Sequence, residues 1–85
     1  MAKVEVYTAG HCPYCTKAKM LLTNKGVEFI EHDLTGDNQA RIALVERSNG
    51  MKTIPQIFID GAHYGGFTDI EKLNKSGELD KILAG

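Results

Sequence analysis

Two cysteines separated by two residues carry the most specific chemical signal of this 85-residue sequence. Cys12-Pro13-Tyr14-Cys15 opens a segment with helical patterning, so both thiols fall in the first turn of a predicted helix. Residues three apart in a helix share a face, with Cβ atoms about 5–6 Å apart. A disulfide needs Cα atoms about 4.4–6.8 Å apart, so this pair can form and break a disulfide with little backbone movement. Since the motif also follows a strand-like run, the pattern favours thiol–disulfide chemistry.

The two thiols are not expected to be equivalent. With Cys12 as the N-cap, Pro13 takes the first helical position, where its missing N–H costs nothing. The free N–H groups of that turn and the positive end of the helix dipole then favour the thiolate form of Cys12. Cys15 lies one turn further in and is suited to attack a mixed disulfide formed at Cys12. We therefore predict that Cys12 is the nucleophile and Cys15 the resolving thiol.

Two other interpretations of the cysteines are weaker. A structural disulfide is disfavoured because the loop that it would close is minimal, and stabilisation falls with loop length. A zinc site needs about four ligands. The further candidates are His11, His32 and His63, which show neither paired spacing nor a second cysteine pair. We predict no metal site.

Composition narrows the class of protein. The length predicts one domain, residues 1–85, and 42% apolar with 25% charged residues is ordinary for a globular chain. A net charge of −1 gives no reason to expect a nucleic acid or an anionic membrane as partner. We expect no signal peptide, because Met1 leads directly into a strand pattern, and no membrane span. With two cysteines only, a reducing cytoplasmic location is the simplest expectation.

Around this motif, alternating and helical hydrophobic patterns predict the elements that position it. A helix between the first two strands implies that they pair in parallel with a right-handed crossover. Gly26 and Asp37 are expected to end the first helix and cap the second, and Asp60-Gly61 to form a hairpin turn. Ile42 and Val45 are expected to be buried by the second helix. The predicted strands are 3–7, 27–32, 56–59 and 62–64, and the predicted helices are 13–24, 38–47 and one or two from about 68 onward.

The fold class predicted from this order is α/β, a four-stranded mixed sheet (βαβαββα) with helices on both faces. Three motifs in sequence make the interpretation more specific: Cys12-Pro13-Tyr14-Cys15, Thr53-Ile54-Pro55 and Gly65-Gly66-Phe67-Thr68-Asp69. Together they resemble the glutaredoxins, small dithiol proteins of the thioredoxin-like fold, over essentially the whole chain. Thioredoxins are less similar, since they typically carry Trp-Cys-Gly-Pro-Cys and this chain has no Trp.

The resemblance implies a glutathione-dependent thiol–disulfide oxidoreductase that reduces protein disulfides and glutathione mixed disulfides. It implies a monomer without a tightly bound cofactor, which uses glutathione as co-substrate and, indirectly, glutathione reductase. It further implies a cis bond before Pro55, which leaves the Ile54 backbone free to pair with the tripeptide. The implied glutathione-binding residues are Tyr14, Lys52, Thr53, Ile54, Pro55, Gly66, Phe67, Thr68 and Asp69.

Within this set the resemblance implies different contacts. Helix N–H groups from Gly66 onward suit the γ-glutamyl carboxylate. Asp69 suits the ammonium group, Thr68 a further hydrogen bond, and Lys52 the glycyl carboxylate, with Phe67 contributing backbone only. The alternatives are that Thr68 and Asp69 form a helix cap, that Lys52 is only solvated, and that Thr53-Ile54-Pro55 merely begins a strand.

One departure from the family lies before the cysteines. Glutaredoxins commonly have a Lys three residues ahead of the nucleophile, where this chain has Ala9. Two alternative functions remain open at this point. One is a thioredoxin-like electron donor recharged by a flavin reductase, and the other is a module that binds a glutathione-ligated iron–sulfur cluster through Cys12.

Overall fold

Strands and helices alternate along most of the chain, as the hydrophobic pattern predicts. The computed structural model describes residues 2–84, so Met1 and Gly85 of the predicted 1–85 domain lie outside the described residues. The elements are β1 (Val4–Thr8), α1 (Pro13–Asn24), β2 (Phe29–Asp33), α2 (Asn38–Arg47), β3 (Gln56–Ile59), β4 (Ala62–Gly65), α3 (Phe67–Ser76) and α4 (Glu78–Ala84).

The strands form one mixed sheet in the order β2-β1-β3-β4. β1 pairs with β2 in parallel, whereas β1 with β3 and β3 with β4 are antiparallel. The parallel pair is the one joined by a crossover helix, as predicted. β1 and β3 are the inner strands, and all four residues of β3 are buried. This arrangement places the end of β1, which leads to Cys12, beside the start of β3, which follows Pro55.

One face of the sheet carries the main hydrophobic core. Alternation in β1 and β3 directs every second side chain to this face, where α1, α3 and α4 cover it. The buried members of the cluster are Val4, Val6, Ala18, Leu22, Ile57, Ile59, Ile70 and Leu79. Because α1 and α3 pack on the same core, their N-termini are fixed relative to each other, and these termini carry the two outer sequence motifs.

The opposite face is covered by α2 and is more polar. Leu44 is the buried residue of α2, whereas Ile42, which was expected to be buried, is 64% exposed. Residues two apart in a helix are about 200° apart around its axis. The rotation of α2 that directs Leu44 to the sheet therefore directs Ile42 to solvent. Val45 is partly buried.

Local signals set most element ends. Gly26, with φ of 71°, follows the last turn of α1, and Asp37 accepts a hydrogen bond from Ala40 N–H at 3.0 Å as the cap of α2. Both predictions are confirmed. The second strand begins later than expected, because Val27 N–H donates to the Leu22 carbonyl at 3.1 Å and so belongs to the helix end.

The hairpin turn between β3 and β4 is also confirmed. Asp60 and Gly61 have φ of 52° and 80°, the two positive values that a tight hairpin of this kind requires. Among residues 2–84, no helix has the length and apolar content needed to cross a lipid bilayer.

Candidate active site

Cys12 caps the N-terminus of α1, as predicted. Its backbone is extended (φ −138°, ψ 105°), and Pro13 occupies the first turn, where no intrahelical N–H bond is lost. The Cys12 Sγ atom accepts a hydrogen bond from Cys15 N–H at 3.2 Å. A sulfur that accepts a backbone N–H at a helix start is stabilised in its negatively charged form. Cys12 is partly exposed, so a substrate disulfide can reach it.

Cys15 occupies a different environment although it lies only one turn away. It is a free thiol, 4% exposed. Burial, followed by the hydrogen bond with Cys12 and the charge of Cys12, raises the pKa of Cys15 to about 12. Cys15 is therefore a thiol at neutral pH, which agrees with its predicted role as the second sulfur to react.

The segment before β3 faces the cysteines. The Ile54–Pro55 peptide bond is cis, as the family resemblance implied. The Ile54 carbonyl oxygen lies 3.8 Å from Cys12 Sγ. Thr53 is exposed and Pro55 is buried, so the segment runs from the surface into the sheet directly opposite Cys12 Sγ.

The third motif forms the N-terminus of α3. Gly66, rather than Thr68, is the N-cap, and the Asp69 carboxylate accepts the Gly66 N–H at 2.9 Å from the third helical position. Gly65 has φ of 100°, and a Cβ atom there would lie 2.8 Å from Asp69 Cγ. A side chain on Gly66 would approach the Pro55 carbonyl oxygen to 3.2 Å. The two glycines therefore let the helix start approach Pro55 closely.

These segments enclose a groove of about 310 Å³, within the size range of small-molecule sites. Its lining contains eight of the nine residues predicted to bind the tripeptide, and Met51 in addition. The lining residues are Tyr14, Met51, Thr53, Ile54, Pro55, Gly66, Phe67, Thr68 and Asp69. Tyr14 and Phe67 form one wall, with ring centroids 6.0 Å apart. No sequence signal indicated Met51, because a loop position without periodicity gives no orientation for a side chain.

Lys52 lies beside this groove rather than in its lining. It borders an adjacent depression with Arg41 and Ile42, and its carbonyl oxygen accepts a hydrogen bond from Arg41 Nη2 at 3.3 Å. Arg41 is thus a second basic residue that contacts the segment leading to β3, and no sequence signal indicated it.

Ala9, where glutaredoxins commonly have a Lys, leaves the segment before the cysteines without that positive charge. Ala9 is nearly buried and provides no charge. Lys19 acts on Cys15 by lowering its pKa, the smallest of the causes that set it, and its ammonium group is paired with Glu31 at 3.1 Å. His11 is exposed. The donor that the structure provides to Cys12 Sγ is therefore the Cys15 N–H at the helix start, and not a lysine before the motif.

Comparison with known proteins agrees with this geometry. The glutaredoxin family model matches residues 4–64. A probable glutaredoxin of Synechocystis is 51% identical over 82 residues, covering 96% of this chain and 93% of that protein. Glutaredoxin 3 of Escherichia coli K12 is 48% identical over 83 residues, covering 98% and 99% of the two chains.

Solved structures give the same result. The crystal structure of a buckwheat glutaredoxin–glutathione complex has a TM-score of 0.88 at 28% identity, covering 98% of this chain and 77% of that one. The solution structure of a Brucella melitensis glutaredoxin has a TM-score of 0.84 at 44% identity, covering 95% and 87%. The fold is thioredoxin-like, and this chain belongs to the glutaredoxin family, which makes it an oxidoreductase with a dithiol centre.

Proposed function

We propose that this protein is a glutathione-disulfide oxidoreductase that reduces glutathione mixed disulfides and protein disulfides through Cys12 and Cys15. The observation that supports this most directly is the position of Cys12 Sγ, 3.8 Å from the Ile54 carbonyl oxygen at the edge of the groove. A substrate held in the groove by its backbone would have its sulfur next to Cys12. Family membership and the glutathione complex of a relative add independent support.

The groove suits the shape and charges of glutathione. The N–H groups of the first turn of α3 have no carbonyl partner within the helix, and the residues that carry them line the groove, so the γ-glutamyl carboxylate would bind there. Asp69 retains a carboxylate oxygen for the ammonium group, and Thr68 adds a hydroxyl. Ile54 would pair with the tripeptide backbone in the manner of an added strand. Lys52 would meet the glycyl carboxylate at the opposite end.

Reduction of a glutathione mixed disulfide then follows in two exchanges. The Cys12 thiolate attacks the glutathione sulfur, the substrate S–S bond breaks, and the substrate leaves as a thiolate that takes up a proton. A glutathione thiolate next attacks the glutathione sulfur bound to Cys12, which releases oxidised glutathione and restores the Cys12 thiolate. Oxidised glutathione would be returned to the reduced state by glutathione reductase.

Protein disulfides use the second cysteine. The Cys12 thiolate attacks one sulfur of the substrate disulfide, whose S–S bond breaks, and the other substrate sulfur leaves as a thiolate that takes up a proton. Cys15 then releases its proton to solvent and attacks the Cys12 sulfur. This breaks the mixed disulfide, expels the second substrate sulfur as a thiolate that is protonated in turn, and leaves a Cys12–Cys15 disulfide. Two causes of the raised pKa of Cys15 are the hydrogen bond with Cys12 and its charge. Both disappear once Cys12 is part of a mixed disulfide, so Cys15 becomes easier to deprotonate at the step that needs its thiolate.

Turnover of a glutathionylated peptide, coupled to glutathione reductase, tests the proposal. Cys12→Ser is expected to abolish turnover, whereas Cys15→Ser retains removal of glutathione but loses reduction of a protein disulfide. Equal loss in both variants would contradict the assignment of roles. Reduction by thioredoxin reductase but not by glutathione would instead indicate a thioredoxin-like donor.

A further inference from the structure

A buried amide connects the groove to the interior of the sheet. Gln56, the first residue of β3, is fully buried although its side chain is polar. Its Nε2 donates to the Thr53 carbonyl oxygen at 2.9 Å and lies 3.2 Å from Thr53 Oγ1. Its Oε1 lies 2.6 Å from His63 Nε2 on β4. A buried amide is costly unless its hydrogen-bonding groups are satisfied, and here both ends are.

The partners fix which atom donates at each contact. The Thr53 carbonyl oxygen can only accept, so the Gln56 NH₂ group must face it and Oε1 must face His63. His63 Nε2 therefore carries the proton. Asn49 Nδ2 lies 3.1 Å from His63 Nδ1, so both ring nitrogens of His63 have a polar partner. The chain of contacts thus has one consistent set of donors and acceptors.

The residue at the end of this chain belongs to the groove. Thr53 is exposed and precedes β3, so the strand ladder does not hold it. Thr53 and Ile54 both line the groove, and the Ile54 carbonyl oxygen faces Cys12 Sγ. The Gln56 amide therefore anchors an exposed, substrate-facing segment to a buried point of the sheet.

We propose that Gln56, oriented by His63, is a positioning residue that holds Thr53 and Ile54 in the conformation that pairs with glutathione. This inference rests on the proposed function, since it names the residues that prepare the same groove. A segment that is held in its bound conformation loses less entropy when the ligand binds. Loss of the anchor is therefore expected to weaken binding more than it slows the exchange of sulfurs.

Gln56→Met tests the anchor, because Met has a similar length and no amide. The KM for a glutathionylated peptide is expected to rise about 5–10-fold, the effect of losing the hydrogen bond that holds the Thr53 carbonyl oxygen, with kcat changed by less than about twofold. The alkylation rate of Cys12 should stay the same, since its sulfur is held by Cys15 N–H. Gln39→Met, at an exposed position of α2, is the matched control and should change neither constant.

Substitution of His63 tests the second contact. His63→Leu removes the donor to Gln56 and should also raise KM, whereas His63→Gln, which retains an amide donor of similar reach, should restore it. His32→Leu is the control on the same face of the sheet. His32 pairs with Glu5 at 2.9 Å and has no contact with Thr53, so its loss should lower thermal stability and leave KM unchanged.

Nuclear magnetic resonance of the ligand-free protein separates this inference from the proposed function. In Gln56→Met the amide order parameters of Thr53 and Ile54 should fall, while those of β1 stay constant. Unchanged order parameters together with an unchanged KM would overturn the positioning role. A wild-type protein that fails to turn over the glutathionylated peptide would refute the proposed function. The order parameters of Thr53 and Ile54 would still decide whether Gln56 positions this segment. If Gln56→Met does not fold, the two His63 variants decide in its place.

Discussion

Two cysteines one helical turn apart have opposite environments in this protein. Cys12 is partly exposed and accepts a backbone N–H at the start of α1, whereas Cys15 is buried and shares a hydrogen bond with Cys12. The first sulfur thus has a backbone N–H donor beside it, whereas burial raises the pKa of the second. The asymmetry arises from the position of the motif at the strand–helix junction rather than from the residues between the cysteines.

Alkylation measures this asymmetry directly. Iodoacetamide at neutral pH should modify Cys12 and spare Cys15, because the pKa of Cys15 is raised to about 12 and its side chain is buried. Peptide mapping by mass spectrometry after short reaction times gives the two rates, with denatured protein as the control in which both react. Comparable rates at the two positions in the folded protein would contradict the assignment.

At the scale of elements, the start of α3 combines a capping role with the proposed ligand role. Asp69 accepts the Gly66 N–H at 2.9 Å, and its carboxylate also borders the groove. The cap of α2, Asp37, makes a similar hydrogen bond to Ala40 N–H at 3.0 Å but lies outside the groove lining. The chain therefore offers two aspartates that each accept one N–H group at a helix start, Asp37 from the N-cap position and Asp69 from the third helical position, and only Asp69 borders the groove.

Asp69→Ala and Asp37→Ala separate these functions. Each should lower the free energy of unfolding by about 1 kcal/mol, the usual effect of losing an N-cap side chain for Asp37 and of losing one hydrogen bond for Asp69. Only Asp69→Ala should also raise the KM for a glutathionylated peptide, because the ammonium group of the substrate loses its partner. Urea denaturation and steady-state kinetics on both variants provide the comparison. An equal effect of the two substitutions on KM would show that Asp69 is only a cap.

Substitution of Gly65 by alanine tests the close approach between β4 and α3. Gly36→Ala, at a position with φ of 78° and open space, should cost roughly 1–2 kcal/mol for the left-handed backbone alone. Gly65→Ala should cost more, because the Asp69 carboxylate must also move away from the added methyl group. Thermal and urea denaturation of both variants measure the difference. A smaller loss for Gly65→Ala than for Gly36→Ala would contradict the packing described here.

At the scale of the whole molecule, burial of Cys15 links stability to pH. The folded protein holds the Cys15 proton more tightly than the unfolded chain does, so the folded state binds more protons above the ordinary cysteine pKa. The stability that the protonated Cys15 thiol contributes is fully present below about pH 9. It is lost as the pH rises towards the pKa of Cys15 in the folded protein. Glu5 affects stability at acid pH instead. Its hydrogen bond with His32 lowers the pKa of Glu5, so the stability that the Glu5 carboxylate contributes is lost as the pH falls and the carboxylate is protonated.

The difference in unfolding free energy between the wild type and Cys15→Ser isolates the first effect from other groups that titrate in alkali. This difference should be constant from neutral pH to about pH 9 and should shift against the wild type at higher pH. Urea denaturation under reducing conditions at a series of pH values measures it. A difference that does not depend on pH would mean that Cys15 is not buried as a thiol.

Sequence patterns predicted the features that depend on local chemistry. Cys12 and Pro13 at a helix start, Asp37 as a cap and Asp60-Gly61 as a turn are each decided by one or two residues and their neighbours. The nearly continuous apolar run of β3 is likewise typical of an inner strand, which β3 is. The sheet, the position of the dithiol and most of the groove followed from such signals combined with the three family motifs.

Features that depend on distant partners were not predictable in this way. The exposure of Ile42 depends on how α2 rotates against the sheet, and the place of Lys52 beside the groove depends on a loop without periodicity. Sequence patterning places His63 on a short strand and indicates no partner for its side chain. Its contact with Gln56 exists because β3 and β4 pair in one particular register, which only the folded sheet reveals.

Mass spectrometry of Cys15→Ser after brief exposure to oxidised glutathione tests the central claim most directly. A single glutathione should be attached at Cys12, and added reduced glutathione should release it. Cys12→Ser, treated in parallel, should acquire almost none, since Cys15 is a buried thiol. Attachment at Cys15 in Cys12→Ser at a rate similar to that at Cys12 would contradict the claim that one exposed sulfur at the helix start performs the exchange.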